Sequence, residues 1–467
     1  MIFAYLEVFL LAFLSGIIGC YFGWVIGGIV LVSSYGFFWY QSKRPFKWLV
    51  ALVICVMVFL GYGRLYLAQH GRERFSRFLI LSSGVGQTGQ ASMTLSGVID
   101  SDPSEMEKGS SAYVNVGMGV IRVGLPRYPL LWRGQLLTVR GKVALARDGT
   151  TWTMPEAIVV RVEDPRGVAG LVFQARREVI TRMGKLFPGS SGGFLVGVLA
   201  GGSRGMSRSI IDDVRATGLT HVIAVSGYNV TIVLNLIIGV FAYLPRRWKA
   251  LPVGAFLVLF ILFVGLSASA LRAAIMGFLS VYALAVGRKR DLLLALLWSA
   301  IFMLLWKPFM LVEDRGFQLS FLATIGVCYI APIMTSRIPS TLSPWIRELL
   351  LEPFLMTFAV YLATLPVLFS FEQFSLIGLV TNIIFVPFIP FCMILAALVL
   401  GLSFIYFPFA LFLGHLGTIF IDLYFLLLHQ FAILPFSNIQ VPQMARSFVM
   451  SYYHVLCAVV FRITRRS

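Results

Sequence analysis

The sequence predicts a polytopic α-helical membrane protein with a small extracytoplasmic β-barrel insert. Hydrophobic residues make up 58% of the chain and charged residues only 12%, where a soluble domain is about a quarter charged; mean hydropathy is +0.87. Apolar runs of about 20 residues, each long enough to span a bilayer, recur along the chain. One stretch, residues 91–165, breaks this pattern with short alternating segments punctuated by Gly and Pro.

Residues 1–68 read as N-terminal transmembrane helices. Two apolar runs fill 3–40, broken near Gly19 to Gly23, and a third runs from Trp48 to Leu67. Met1 to Glu7 lacks the basic segment of a cleaved signal peptide, so the first run is expected to remain as a membrane helix. The basic loop Gln41–Lys47 is expected to be cytoplasmic, which puts the end of the third helix outside. Residues 69–90 read as a linker.

In the insert, Met93–Asp100, Ala112–Val116, Leu136–Val143 and Ala157–Val162 carry alternation or β-branched enrichment. Four or five short strands in about 75 residues suit a small barrel such as an OB-fold, and another small β domain fits the periodicity too.

Residues 166–218 form a basic connector. Gly189–Gly202 is short and glycine-rich, which suits a re-entrant or interfacial piece, and Met206–Ala216 reads as an amphipathic helix with Ser207 at its N-cap. Residues 219–467 form the main transmembrane domain, with apolar runs beginning near 221, 251, 269, 291, 316, 349, 374, 404 and 449. If residue 221 starts outside, alternation puts Arg246/Arg247, Arg288–Arg290, Arg337/Arg347 and the C-terminal arginines all inside. Much of the net charge of +18 sits in such clusters, which the positive-inside rule explains without nucleic acid.

Several chemistries lack a signature. There is no GxxxxGK[ST] nucleotide loop. The five histidines are scattered, and the five cysteines all sit in apolar runs without CxxC spacing. No cofactor or metal is expected, and no catalytic residue.

The run Gly218-Leu-Thr-His-Val-Ile-Ala-Val-Ser-Gly-Tyr-Asn-Val-Thr-Ile-Val233 places His221, Ser226 and Asn229 in apolar surroundings. Polar, glycine-broken backbone at membrane depth is tolerated only where it lines a cavity or packs against protein. This run resembles the signature of the ComEC family of competence DNA channels. Further blocks follow in the family's order: Gly197–Gly202, Ala268-Ser-Ala-Leu-Arg-Ala-Ala-Ile-Met276, Asp314-Arg-Gly-Phe-Gln-Leu-Ser-Phe-Leu-Ala323, Thr364-Leu-Pro366 and Thr381-Asn-Ile-Ile-Phe-Val-Pro387.

The resemblance implies an OB-like domain in the insert and an inner-membrane channel that passes single-stranded DNA into the cytoplasm during natural transformation. It implies as partners the lipid bilayer, a periplasmic DNA receptor, a cytoplasmic DNA motor and single-strand-binding proteins. Where family members commonly have Ser-Gly-Leu-His, this chain has Ser226-Gly227-Tyr228-Asn229, so a histidine role does not transfer to 229. The sequence ends at Ser467, whereas longer members continue into a metallo-β-lactamase-like domain proposed as a nuclease; second-strand degradation is therefore expected from a separate nuclease.

A DNA strand carries one negative charge per nucleotide, and each charge is costly in hydrocarbon, so the path must be wet or lined with donors and cations. The candidate path residues are Arg204, Arg208 and Arg215 in the connector, then His221, Ser226, Asn229, Arg272, Arg315, Gln318, Ser320 and Asn382. Arg272 is either a phosphate contact or the partner of an intramembrane acid, with Asp314 and Glu372 the candidates. Ser226-Gly227 either exposes amides to phosphate or is a packing notch. Asn229 and Asn382 either bond between helices or touch the strand, and His415, Asp422 and His429 either form a proton relay or are structural, their spacing favouring the structural role.

The insert carries as many acids as bases. A run from Arg122 through Arg127, Arg133, Arg140 and Lys142 to Arg147 nonetheless holds no acid, and with Trp132 it supplies the candidate DNA contacts of a basic face. Three other readings compete: a secondary transporter of a small anionic solute, which predicts inverted repeats and broken helices, an intramembrane enzyme built on His221 or Asp314, and a relative of the family that has lost DNA transport and serves assembly.

Overall fold

The computed structural model describes residues 47–83 and 92–437, apart from short gaps at 107–108, 118, 147–150, 224, 340–342 and 370–372, and isolated residues from 439 to 456. The helices expected in 3–40, Arg147, Glu372 and the C-terminal arginines lie outside the described residues. The chain divides into two compact units. One comprises residues up to Arg177 with Leu297–Pro308; the other comprises Glu178–Leu296 and residues from Phe309 on.

The first unit opens with α1, Lys47–Ser83, which continues through the segment that reads as a linker. The barrel strands are β1 (Ser92–Ile99), β2 (Ser104–Met106), β3 (Gly109–Asn115), β4 (Val120–Leu125), β5 (Leu136–Lys142), β6 (Ala144–Leu145), β7 (Trp152–Met154) and β8 (Ile158–Glu163). β1 pairs antiparallel with β3 and β5, and β3 with β4. β4 pairs parallel with β7, and β8 returns antiparallel to β5. Taken with β7 and β8 as one interrupted strand, this circuit closes a five-stranded OB-like barrel. A strand the sequence reading overlooked, β4, has the alternation that closes it, with Ile121, Val123 and Leu125 inward.

Closure leaves two ends, and α1 covers one of them. Phe75 and Leu79 are buried among Leu95, Ile121, Leu137 and Met154, and the Phe75 ring lies against Gly119. Trp152 turns inward and donates from Nε1 to Ser76 Oγ. Arg64 donates to the Leu305 and Trp306 carbonyls at 2.7 and 2.9 Å, satisfying acceptors at the end of α8 (Leu292–Trp306) that no amide can reach.

The second unit holds the rest of α2 (Gly167–Leu186), α3 (Ser190–Ala200), α4 (Arg208–Ala216), α5 (Gly227–Val240), α6 (Ala250–Val264) and α7 (Ala268–Ala285). After α8 come α9 (Arg315–Ile325, continued to Thr335 through a wide turn at Gly326–Ile330), α10 (Glu352–Phe369), α11 (Gly378–Phe385), α12 (Phe388–Ser403) and α13 (Phe407–Ala432). Among the described residues, six helices are long and apolar enough to cross a membrane, and a seventh span is available if α11 and α12, bent by 43°, count as one. The protein is thus a multi-pass membrane protein with a β insert.

α3 is enclosed by protein. Nine of its eleven residues are buried, and Phe194 packs between Tyr424 and Phe425 of α13. Ser207 caps α4 by accepting from Ile210 N. α5, α6 and α7 share a separate core of Val230, Leu234, Leu257, Val264, Ala270 and Ala274, whose alanines allow close helix approach.

Candidate nucleic-acid interface

The polar residues of the 218–233 run divide into a supporting pair and an open position. Ser226 caps α5, accepting from Asn229 N and donating to Asn229 Oδ1 at 3.1 Å. Asn229, only 2% exposed, donates from Nδ2 to Val198 O at 3.1 Å. Both ends of its amide are therefore engaged, and it ties the start of α5 to α3. His221 is exposed on a single helical turn at Thr220–Ile223.

Beside this cap stands Arg272. Ser267 caps α7 through Ala270 N, and Ser269 Oγ donates to Val225 O at 2.8 Å, which fixes the helix start against the Val225–Ser226 segment. One turn on, Arg272 Nη1 donates to the Ser320 carbonyl of α9. Its Nη2 lies over Gly227, where a Cβ would come within 2.7 Å. Its Nε is buried without a hydrogen-bond partner. Asp314 is occupied otherwise: it caps α9, accepting from Phe317 N at 2.9 Å. Among the described residues, Arg272 has no acidic partner.

The arrangement sets a guanidinium beside the positive end of a helix that is already capped. Two like-signed features in apolar surroundings favour an anion beside them. Of the α9 residues, Ser320 contributes its carbonyl, while Gln318 Nε2 is spent on the Leu311 and Val312 carbonyls at 3.0 and 2.9 Å. Arg315 is exposed at the first turn.

Asn382 lies on α11 with its Oδ1 buried and unpaired. Its neighbour Thr381 donates to the Thr217 carbonyl at 2.7 Å. In the connector, Arg208 and Arg215 are exposed, Arg204 is half-buried, and Arg215 pairs with Asp212.

In the barrel the basic residues do not form one continuous face. Arg122 on β4 stands directly opposite Tyr113 on β3, both exposed. Arg140 and Lys142 are exposed on β5, which is separated from β3 and β4 by β1 on one side and β7/β8 on the other. Arg127 is exposed in the loop after β4, while Trp132 is covered by the Arg177 guanidinium, 5.9 Å from its ring. Burial pulls the Arg133 guanidinium below its ordinary range; Asp102 opposes this, Arg176 adds to it, and Asp100 opposes it again. Tyr113 is an exposed aromatic outside the candidate contacts, and its place in the alternation of β3 signals that exposure. Among the described residues there is no cluster of three His, Cys, Asp or Glu able to hold a metal.

Residues 198–466 match the family described as Competence protein. The chain belongs to the competence-protein family. The ComE operon protein 3 of Bacillus subtilis (strain 168) is 27% identical over 256 residues, covering 54% of this chain and 31% of that protein. The alignment thus spans about a third of the length of this relative. No solved structure matches. The matched family region contains Ser226, Arg272, Ser320 and Asn382 and excludes the barrel.

Proposed function

We propose that this competence-family protein acts in DNA uptake, as the inner-membrane channel that passes single-stranded DNA into the cytoplasm. Arg272 carries the reading: a guanidinium on a membrane helix, set against the capped start of α5, with an unpaired Nε and no acidic partner among the described residues. Such a cation is costly unless an anion or water meets it, and a phosphodiester supplies that anion. The barrel and connector would receive the strand on the outer face, with Tyr113 and Arg122 as a stacking and charge pair. In this reading the barrel lies outside and the Arg246/Arg247 and Arg288–Arg290 loops inside, as the positive-inside rule favours. A periplasmic receptor, a cytoplasmic motor and single-strand-binding proteins would complete the pathway.

The broken span at α11 and α12, with Asn382 Oδ1 unpaired beside the break, favours a second reading as a transporter of a small anionic solute. Labelled duplex DNA given to cells carrying R272A at normal protein level separates the two. The channel reading expects DNA held outside the inner membrane with no labelled strand in the cytoplasm. Unchanged cytoplasmic label would overturn it and leave the transporter.

A further inference from the structure

His415, Asp422 and His429 recur every seven residues along α13. Seven residues return a helix to within about 20° of the same direction, and each step rises about 10.5 Å. The three therefore form one stripe down the span. It runs beside the buried face of α13, at the boundary with the exposed apolar residues Phe412, Leu416 and Ile419.

Asp422 lies about 22 Å into the helix and is exposed all the same. The fully buried Ser191 donates to its Oδ1 at 2.6 Å. His429 Nδ1 meets Asp213 Oδ2 at 3.0 Å. His415 Nδ1 meets the Leu411 carbonyl at 2.8 Å; a carbonyl only accepts, so Nδ1 carries the proton and the neutral ring's Nε2 is left to accept.

The chain from α2 to α4 follows α13 along its length. Leu186 backs onto Gly414, the Phe187 ring onto Gly417, Ser191 meets Asp422, and Asp213 meets His429. At the start of α13 a cavity of about 450 Å³ is lined by Glu178, Arg182 and Lys185. α12, packed along α13, has Cys392 as its only titratable side chain, and α3 has none. On α4, Asp212 and Arg215 pair with each other, leaving Asp213 toward the stripe.

A carboxylate exposed in hydrocarbon is costly, so Asp422 must face water or a partner. We infer that the exposed edge of the contact between α13 and the α2–α4 segment is a proton path, in which water links the Glu178/Lys185 cavity, His415, Asp422 and the His429–Asp213 pair. Steps of about 10.5 Å exceed any direct hydrogen bond, so each hop passes through water, each group taking a proton from one side and releasing it to the other. This path stands independently of the DNA reading.

The full-length protein is reconstituted into vesicles containing the pH dye pyranine, with potassium and valinomycin clamping the potential, and an acid pulse is applied outside. The wild type is expected to acidify the lumen faster than protein-free vesicles. D422N, which keeps an acceptor for Ser191, should lose at least tenfold of that excess, while D422E keeps it. Wild-type flux equal to the protein-free leak, or D422N equal to wild type, would overturn the path. Should D422N fail to fold, H415Q at an exposed position decides by the same criterion.

Discussion

Gly227 and Arg272 Nη2 are in such close apposition that a Cβ on the glycine would sit 2.7 Å from the guanidinium nitrogen. The glycine is thus a condition for the place of Arg272. G227V is expected to push the side chain off the start of α5 and lower DNA uptake at least about tenfold, equivalent to about 1.4 kcal/mol. If the two residues act as one unit, G227V/R272A is no worse than R272A alone. A double variant showing the product of the two losses would place Gly227 outside the Arg272 site.

Ser226 and Asn229 bond to each other, and Asn229 bonds to the Val198 carbonyl, which predicts a supporting role. S226A removes a helix cap worth about 1 kcal/mol. N229L leaves the Val198 carbonyl without its donor, at a cost of about 1–3 kcal/mol. Both variants should unfold earlier in a detergent thermal scan, while uptake per folded molecule stays near wild type. Uptake lost from fully stable N229L would instead make Asn229 a strand contact.

Much of this organisation is legible in the residues. Ser207 before an amphipathic run and alternation in β1 and β5 mark their elements directly, because caps and pleat are local. The extent of α1 is not local. Phe75 and Leu79 look like stray apolar residues in a polar linker until the barrel end they cover is in place. Arg272 stands out by its small neighbours, but its orphaned Nε depends on where α9 brings the Ser320 carbonyl, more than 40 residues away. The heptad of His415, Asp422 and His429 is visible in the sequence; what gives it meaning is Ser191 and Asp213 from the opposite wall.

On the barrel, Tyr113 and Arg122 face each other across β3 and β4, while Arg140 and Lys142 lie on β5. Binding of a fluorescent oligothymidylate to the full-length protein in detergent should therefore respond unevenly. Y113A should weaken it by about 1–3 kcal/mol through lost stacking. R122Q should reduce the salt slope by about 0.7, one phosphate contact on a single strand. K142Q should leave both nearly unchanged. A larger effect from K142Q than from Y113A would move the strand to the β5 side.

Asp102 and Arg176 form a two-pronged pair at 3.0 and 2.8 Å, with side chains 19% and 7% exposed. Buried pairs contribute little over an apolar replacement, because desolvating both ions offsets their attraction, yet leaving one ion alone is expensive. D102A leaves the Arg176 guanidinium buried without this carboxylate and removes one of the acids that offset the burial of Arg133. It is expected to cost about 3–5 kcal/mol, read as earlier loss of barrel structure on heating and earlier proteolytic cleavage within residues 92–163. D102L/R176M removes both charges and should recover most of that loss. If D102A is as stable as wild type, the pair is a surface contact held too loosely to matter, and the junction between α2 and the barrel depends on other contacts.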